Sequence, residues 1–531
     1  MMLNIDTEKF RLRRFVEKLY DHGEVEILDE PIEFSKIASI IEDNPKVVWL
    51  KKVGSDRLEL VANVNGSRKR LAVALNVEPD KLVSEYRKRL GNPQPVINVK
   101  GSDAPVQEII LTGEDADLTR LPFYLQHQLD GSPYISSAID FTIDPETGTT
   151  NVGCRRLSLR NSREAGTNLT APSDLKRIYT AACKKGEKLP ISFAIGSHPV
   201  DYLAGMMRIP ADEISLVSTL RGEALPLVKS VSNNIRVPAD AEMIVEGYLD
   251  ERGYIEPDGP YGEYVGFYGP MHQDPVFHVT AITMRNDAIH QTIFHGSASQ
   301  IHRAESANLI SVGLEAKALN ILEKENIDVK DVYVPISSAE GQHLRVAISQ
   351  KESGDAERTI SALIDNMFVS KHVFVVDDDI DIRNENQWEW AFVSRFQADR
   401  DMIPYPNRPG LPMDPSLDSA PFGTKAGFNL TLPIEKKEDL LMTRATAPKI
   451  HSKTSHQTVR QVLSENGPMF LVEIISAVGS SDGREIMPAL DEIRQEGKLM
   501  RDGDGRYLIG NAIKGTTGLF GPQHRDPNLH S

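Results

Sequence analysis

Cysteine is nearly missing from this chain: Cys154 and Cys183 are the only two in 531 residues. Two thiols cannot staple a framework and have no metal-ligand spacing, which fits a reducing compartment. Long apolar runs are missing too. No stretch approaches the about 18 consecutive apolar residues a bilayer span needs, and residues 1–14 mix acids and bases without an apolar signal region. The expected location is the cytoplasm. Positive charge is in deficit, with 60 Lys and Arg against 76 Asp and Glu, a net −16. That balance argues against nucleic acid or an anionic membrane as the main partner. Walker and Rossmann glycine fingerprints, internal repeats and low-complexity tracts do not occur either.

What is present is enough chain for two to four domains of about 150 residues each. Residues 1–115 read as a mixed α/β unit, with a helix over 10–22 and strands at Val47-Val-Trp-Leu50 and 57–62. From 116 to 307 short apolar runs broken by turn residues, such as Ser137-Ala-Ile-Asp-Phe-Thr-Ile143, predict a barrel or sandwich. Residues 308–450 alternate a helix over 308–326 with strands at 332–335, 344–348 and 373–376, a βαβ pattern. A proline-rich stretch, 404–412, is extended. Residues 453–512 read as an appendage of three helices and a hairpin with a Gly503-Asp-Gly505 tip, the order of a winged helix.

The segment Asp258-Gly-Pro-Tyr-Gly-Glu263 sets two carboxylates around a turn that Pro260, Gly259 and Gly262 keep out of helix and strand. Asn151-Val-Gly-Cys-Arg-Arg156 offers the cation such a pair needs, since a fixed guanidinium keeps one carboxylate ionised and orients another. Arg156, Asp258 and Glu263 are therefore the leading catalytic candidates. The plainer reading is a Gly-Pro surface turn with solvated acids.

Five segments carry a resemblance: Asn151 to Arg156; Leu220-Arg-Gly-Glu-Ala-Leu-Pro-Leu-Val-Lys229; Val237-Pro-Ala-Asp-Ala-Glu242 with Glu246-Gly247; Asp258 to Gly266; and Val375-Val-Asp-Asp-Asp-Ile-Asp381. In this order, across residues 10–445, the chain resembles the UbiD-type decarboxylases, of which fungal ferulic acid decarboxylase is a representative. The resemblance implies a split β-barrel of FMN-binding type between two α/β domains. It implies prenylated FMN as cofactor, supplied by a flavin prenyltransferase, with Mn²⁺ or Mg²⁺ and K⁺ or Na⁺ at its phosphate. Carried over by position, the divalent ligands are Asn151, Asp174 and Glu213; the monovalent ones are backbone carbonyls around Ala204 to Met207. Cofactor contacts are Asn151, Val152, Gly153, Cys154, Arg155, Arg156, Ser173, Asp174 and Glu213. The family has histidine where Asp174 stands, so an all-oxygen set here favours a hard cation. Read without the family, Asp174 is an ordinary helix N-terminal acid.

The implied activity is reversible, non-oxidative decarboxylation of an aromatic, heteroaromatic or α,β-unsaturated acid. Glu263 matches the proton donor, because a carboxyl in a dry pocket can hold a proton at neutral pH. Arg156 and Asp258 complete an acid–base network, with Asp258 standing where the fungal enzyme has Glu. His127, His198, His295 and His302 are expected to be structural or solvent-facing, although His302-Arg303 could meet a second polar group of a substrate, and the acid run 377–381 is expected to be a structural turn. Rival readings are an oxidoreductase using ordinary FMN and a scaffold whose winged helix binds DNA. Seven bases against nine acids within 453–512 disfavour DNA. A homo-oligomer, dimer or larger, is expected.

Overall fold

The computed structural model describes residues 6–209, 212–297, 300–417, 422–437, 439–451 and 455–510. The chain divides into two compact units, 1–431 and 432–531. Residues 453–454 and 511–512 of the expected appendage lie outside the described residues.

In the first unit the helix Leu12–Asp21 buries Leu12, Phe15, Val16 and Leu19, the i, i+3, i+4, i+7 stripe of an amphipathic helix. It packs on a four-stranded sheet of Val25–Leu28, Val47–Val53, Leu58–Ala62 and His290–Gln291. Each such Leu, Val or Phe buried contributes about 1.5–3 kcal/mol. The last strand comes from far along the chain: His290 and Gln291 pair in parallel with Leu60 and Val61. The N-terminal sheet therefore ends on the segment that leads out of the barrel.

The barrel closes with six strands. Met243–Leu249, Leu189–Ile195, Tyr134–Ile143, Thr150–Leu159, Glu164–Thr167 and Val276–Met284 follow one another, and the last pairs back onto the first. Closure removes the exposed edges an open sheet would leave. Ile109–Thr112 joins it through Val276–Met284, although the sequence groups that segment with the N-terminal unit. The ring is filled by Leu157, Ile191, Phe193, Val245, Phe277 and their neighbours. Gly247 sits at a register shift where a Cβ would come within 2.0 Å of His278 O, so a side chain there would break the wall.

The third layer is the expected alternation. Helix Glu305–Lys324 leads to Val329–Tyr333, and helix Asp355–Asn366 crosses from His343–Ile348 to the parallel strand His372–Asp377. The proline-rich stretch forms most of Met402–Pro409, the edge strand of this five-stranded sheet, a position that tolerates Pro404 because one side of an edge needs no donors.

The second unit has the expected order: helices Val459–Asn466, Leu471–Val478 and Ile486–Gln495, then strands Leu499–Arg501 and Tyr507–Ile509. Thr458 and Gln461 form a capping box at the first helix. Its core includes Ile474, Ile475, Leu490 and Ile493, with Leu471 partly buried. Phe470 stays half-buried beneath Arg506, whose guanidinium lies 5.1 Å from the ring centroid.

Candidate active site

Alternation along the strand Thr150–Leu159 sorts the sequence motif onto two faces. Asn151 and Arg155 share one. Asn151 Nδ2 donates to Asp140 Oδ2 at 3.2 Å, and Arg155 Nε lies 3.3 Å from Asp140 Oδ1. Burial pushes the Asp140 carboxyl up to about 6 against the pull of Arg155. Val152, Cys154 and Arg156 point to the other face.

Arg156 there gathers both acids of the turn. Its Nη1 donates to Glu263 Oε1 at 2.8 Å and its Nη2 to Asp258 Oδ2 at 3.3 Å. Burial works against the guanidinium's charge, but Glu263 and Asp258 outweigh it and hold the group firmly protonated. Burial likewise acts to raise the Asp258 carboxyl, and Arg156 outweighs it, leaving Asp258 below its ordinary range. Tyr134 OH donates to Asp258 Oδ1 at 3.0 Å, and the guanidinium carbon lies 4.2 Å from the centroid of the Tyr261 ring.

The acid turn is anchored by residues that no motif singles out. Asp130 accepts from the backbone N–H of Gly262 at 3.0 Å with one oxygen and from Gln126 and His127 with the other. Gly131 N donates to Pro260 O at 2.8 Å, and a Cβ on Gly131 would sit 2.0 Å from Gly259 O. The Gly259–Pro260 peptide is cis. Tyr261 OH donates to Gln126 Oε1 at 2.8 Å, which fixes the ring under Arg156. Only the fold brings 126–134 to 258–263, so spacing alone could not have found these partners.

A third set stands behind Asp258. His272 lies across the ladder from Asp258, with Nε2 3.5 Å from Asp258 Oδ2 and 3.3 Å from Asp274 Oδ2. Asn168 Nδ2 is 3.1 Å from the same nitrogen. Asp258, His272 and Asp274 place ligand atoms within 4.8 Å of one another. Both Asp258 oxygens already accept from Arg156 and Tyr134, so the imidazole serves as a further counter-charge to a compensated pair.

The implied phosphate end lies on the Asn151 side. Glu213 N donates to Thr150 O at 3.0 Å and Val152 N donates to Glu213 Oε2 at 2.8 Å, which fixes this carboxylate beside the Asn151 strand. Burial raises the Glu213 carboxyl, and Asp174 and Asp140 add to the rise while backbone donors oppose it. Asp174 opens the helix Asp174–Lys185, capped by Ser173 Oγ accepting from Lys176 N at 3.1 Å. Its carboxylate lies 2.8 Å from Arg208 Nε. Asp174 and Asp140 both act on Glu213 beside the Asn151 strand, and oxygen donors of this kind suit a hard divalent cation. An open cavity of about 730 Å³ borders this end, lined by Ser173, Asp174, Arg177 and Arg208 among others.

At the Arg156 end, Arg156 Nε and both ring nitrogens of His127 are buried without a hydrogen-bond partner among the described residues. These are polar atoms that a bound group or water would satisfy. Cys154, Arg156, Tyr264, His295 and Glu340 gather at this end, none of them fully buried by surface. The remaining histidines differ in place. His198 is buried between Phe10 and Phe15, His302 is exposed, and His295 is packed edge-on to Tyr261 with its pKa pushed down to about 3 by burial. In the acid run, Arg395 clasps Asp379 at 2.6 Å and reaches Asp377, a structural arrangement.

Comparison with known proteins fits this geometry. The 3-octaprenyl-4-hydroxybenzoate carboxy-lyase Rift-related domain matches residues 97–298, and the corresponding C-terminal domain matches 307–430. The UbiD-class enzyme HmfF from Pelotomaculum thermopropionicum, solved in complex with FMN, is 30% identical, covering 82% of this chain and 97% of its own with a TM-score of 0.77. An evolved dimeric form of HmfF in complex with prFMN is 29% identical over 83% and 97%, with a TM-score of 0.74. Vanillic acid decarboxylase from Sedimentibacter hydroxybenzoicus is 25% identical over 83% and 96%, with a TM-score of 0.75. No helix among the described residues is long and apolar enough to cross a membrane. With two domain matches spanning more than half its length and a relative 30% identical across most of both chains, this protein belongs to the UbiD family.

Proposed function

We propose that this protein is a prenylated-FMN-dependent decarboxylase that releases carbon dioxide, reversibly and without net oxidation, from an aromatic, heteroaromatic or α,β-unsaturated carboxylic acid. The observation that carries the reading is the buried Arg156 shared between Glu263 and Asp258. An oxidoreductase using ordinary FMN has no use for that set.

Prenylated FMN, when bound, supplies the electron sink that makes loss of carbon dioxide feasible. The chain's own groups do the rest. Asn151, Asp174 and Glu213 would hold Mn²⁺ or Mg²⁺, with K⁺ or Na⁺ at the carbonyls near Ala204 to Met207, so that an acidic protein can seat a phosphate. Val152, Gly153, Cys154, Arg155, Arg156 and Ser173 complete the cofactor contacts. Arg156 fixes both carboxylates and stays charged, because removing its proton would strand two buried anions. Decarboxylation consumes one proton at the carbon that carried the carboxylate. Glu263 takes up that proton from solvent before the step, delivers it from its Oε atoms and returns to the carboxylate that pairs with Arg156, while Asp258, tied to Tyr134 and His272, remains the anion that keeps Arg156 in place. Burial of the site excludes water that would compete for that proton step.

The partner enzyme is a flavin prenyltransferase, the chain works as a homo-oligomer, and its compartment is the cytoplasm. The test is to purify the protein after co-expression with a prenyltransferase and screen carboxylic acids for carbon dioxide release. Bound ordinary FMN supporting redox turnover, with no acid decarboxylated, would overturn the reading.

A further inference from the structure

The turn between the strands Val329–Tyr333 and His343–Ile348 is bent by consecutive left-handed residues: Ala339 (φ 50°), Glu340 (φ 58°) and Gly341 (φ 93°). Left-handed backbone at a residue with a Cβ costs about 1–2 kcal/mol, so two in succession mark a loop that its surroundings hold to purpose. What the loop delivers is a carboxyl. Glu340 is enclosed by protein and hydrogen-bonds the Ser306 hydroxyl, whose oxygen is 3.1 Å from His295 Nδ1.

The groups facing Glu340 come from several elements. Glu263 and Tyr264 belong to the acid turn, Cys154 to the Arg156 strand, and Ser306 to the helix Glu305–Lys324. Arg156 and His295 lie in the same neighbourhood, since Arg156 acts on Glu263, Tyr264 and His295. Glu340 is thus a third acid at this site beside Asp258 and Glu263, and the charged group that acts on it is another acid, Glu263. Burial, opposed by the Ser306 hydroxyl and reinforced by Glu263, pushes its carboxyl up to about 8. A neutral carboxyl offers an O–H donor that a carboxylate lacks.

We propose that Glu340 is a specificity-determining residue: its carboxyl, held beside Glu263 and Tyr264 by the left-handed loop, donates a hydrogen bond to the carboxylate of the acid substrate. The assignment rests on the decarboxylase reading, which makes the ligand an anion. The donor is lost when Glu340 ionises, and the carboxylate left behind repels that anion. Affinity therefore falls as pH rises through about 8. The neighbours do not produce this limb. Cys154 is pushed up to about 12 by burial, Tyr264 lies well above its ordinary value, His295 is neutral throughout, and Arg156 is charged throughout.

The experiment compares wild type, Glu340→Gln and Glu340→Leu in the cofactor-loaded enzyme, with the acid that the wild type turns over best. Glutamine keeps the shape and an N–H donor without the titration, so KM at pH 7 stays within about threefold of wild type and its alkaline rise disappears. Leucine removes the donor and raises KM by about 10- to 100-fold at neutral pH. Independently of activity, the infrared difference spectrum of the unloaded protein on either side of pH 8 contains a protonated-carboxyl band in wild type that Glu340→Gln lacks. An active wild type whose Glu340→Gln variant keeps the same alkaline rise, or a missing band, overturns this assignment alone. A wild type that decarboxylates no acid overturns the reading beneath it as well.

Discussion

His272 and Asp258 face each other across the short ladder Glu256–Asp258 and His272–Asp274, with His272 Nε2 3.5 Å from Asp258 Oδ2. The register leaves no choice of partner: a slip of one residue would turn His272 to the other face. The imidazole also meets Asp274, which is fully buried, so one ring stands between two carboxylates and shares Asp258 Oδ2 with Arg156.

A pH dependence of stability follows. The His272 pKa is raised, chiefly by its hydrogen bond to Asp274, with burial opposing and Asp258 assisting. A group whose folded pKa is raised stabilises fully below its unfolded value, about 6.5, and loses that stabilisation as pH rises through the folded value. The thermal midpoint of wild type should therefore drop across the range just above about pH 6.5; the raised Glu340 and Glu305 carboxyls add to the drop equally in wild type and variant, so the difference between the two proteins isolates the imidazole. In His272→Gln that drop should shrink. Thermal melts as a function of pH decide it, and equal slopes in the two proteins would remove His272 from this role.

Asp174 separates cation ligand from helix cap. If the carboxylate holds the ion, Asp174→Ala lowers bound metal and bound flavin together, by at least about tenfold in affinity. The Ser173 cap is untouched and the helix Asp174–Lys185 should persist. Elemental analysis beside flavin absorbance reads both; full metal occupancy in the variant would leave Asp174 its helix-terminal place and its ion pairs with Arg208 and Arg177.

The C-terminal unit has its own core, so a cavity there should be felt locally. Leu490 is 1% exposed among Val459, Ile474 and Ile493. Leu490→Ala should cost about 2–5 kcal/mol of that unit's stability. Calorimetry should move the transition belonging to residues 455–510 and leave flavin binding unchanged, whereas an unshifted scan would contradict the packing.

Much of this was legible in the chain. Periodic apolar positions such as Leu12, Phe15, Val16 and Leu19 announced their helix, and glycine and proline around Tyr261 announced a built turn between two acids. What was hidden depends on the fold's long crossings. Asp130 holds the acid turn across more than a hundred residues, and His290–Gln291 completes a sheet begun before residue 30. Glu340 was missed for another reason: an Ala-Glu-Gly loop carries no signal that its backbone is left-handed or that its carboxyl turns inward.

The central claim is that Glu263 delivers the proton that replaces carbon dioxide. Glu263→Gln keeps the side chain's shape beside Arg156 and removes the transferable proton. Measured at equal prenylated-FMN content, carbon dioxide release by this variant should fall by about a hundredfold to ten-thousandfold while cofactor binding and fold are retained. Release within a few-fold of wild type would contradict the account.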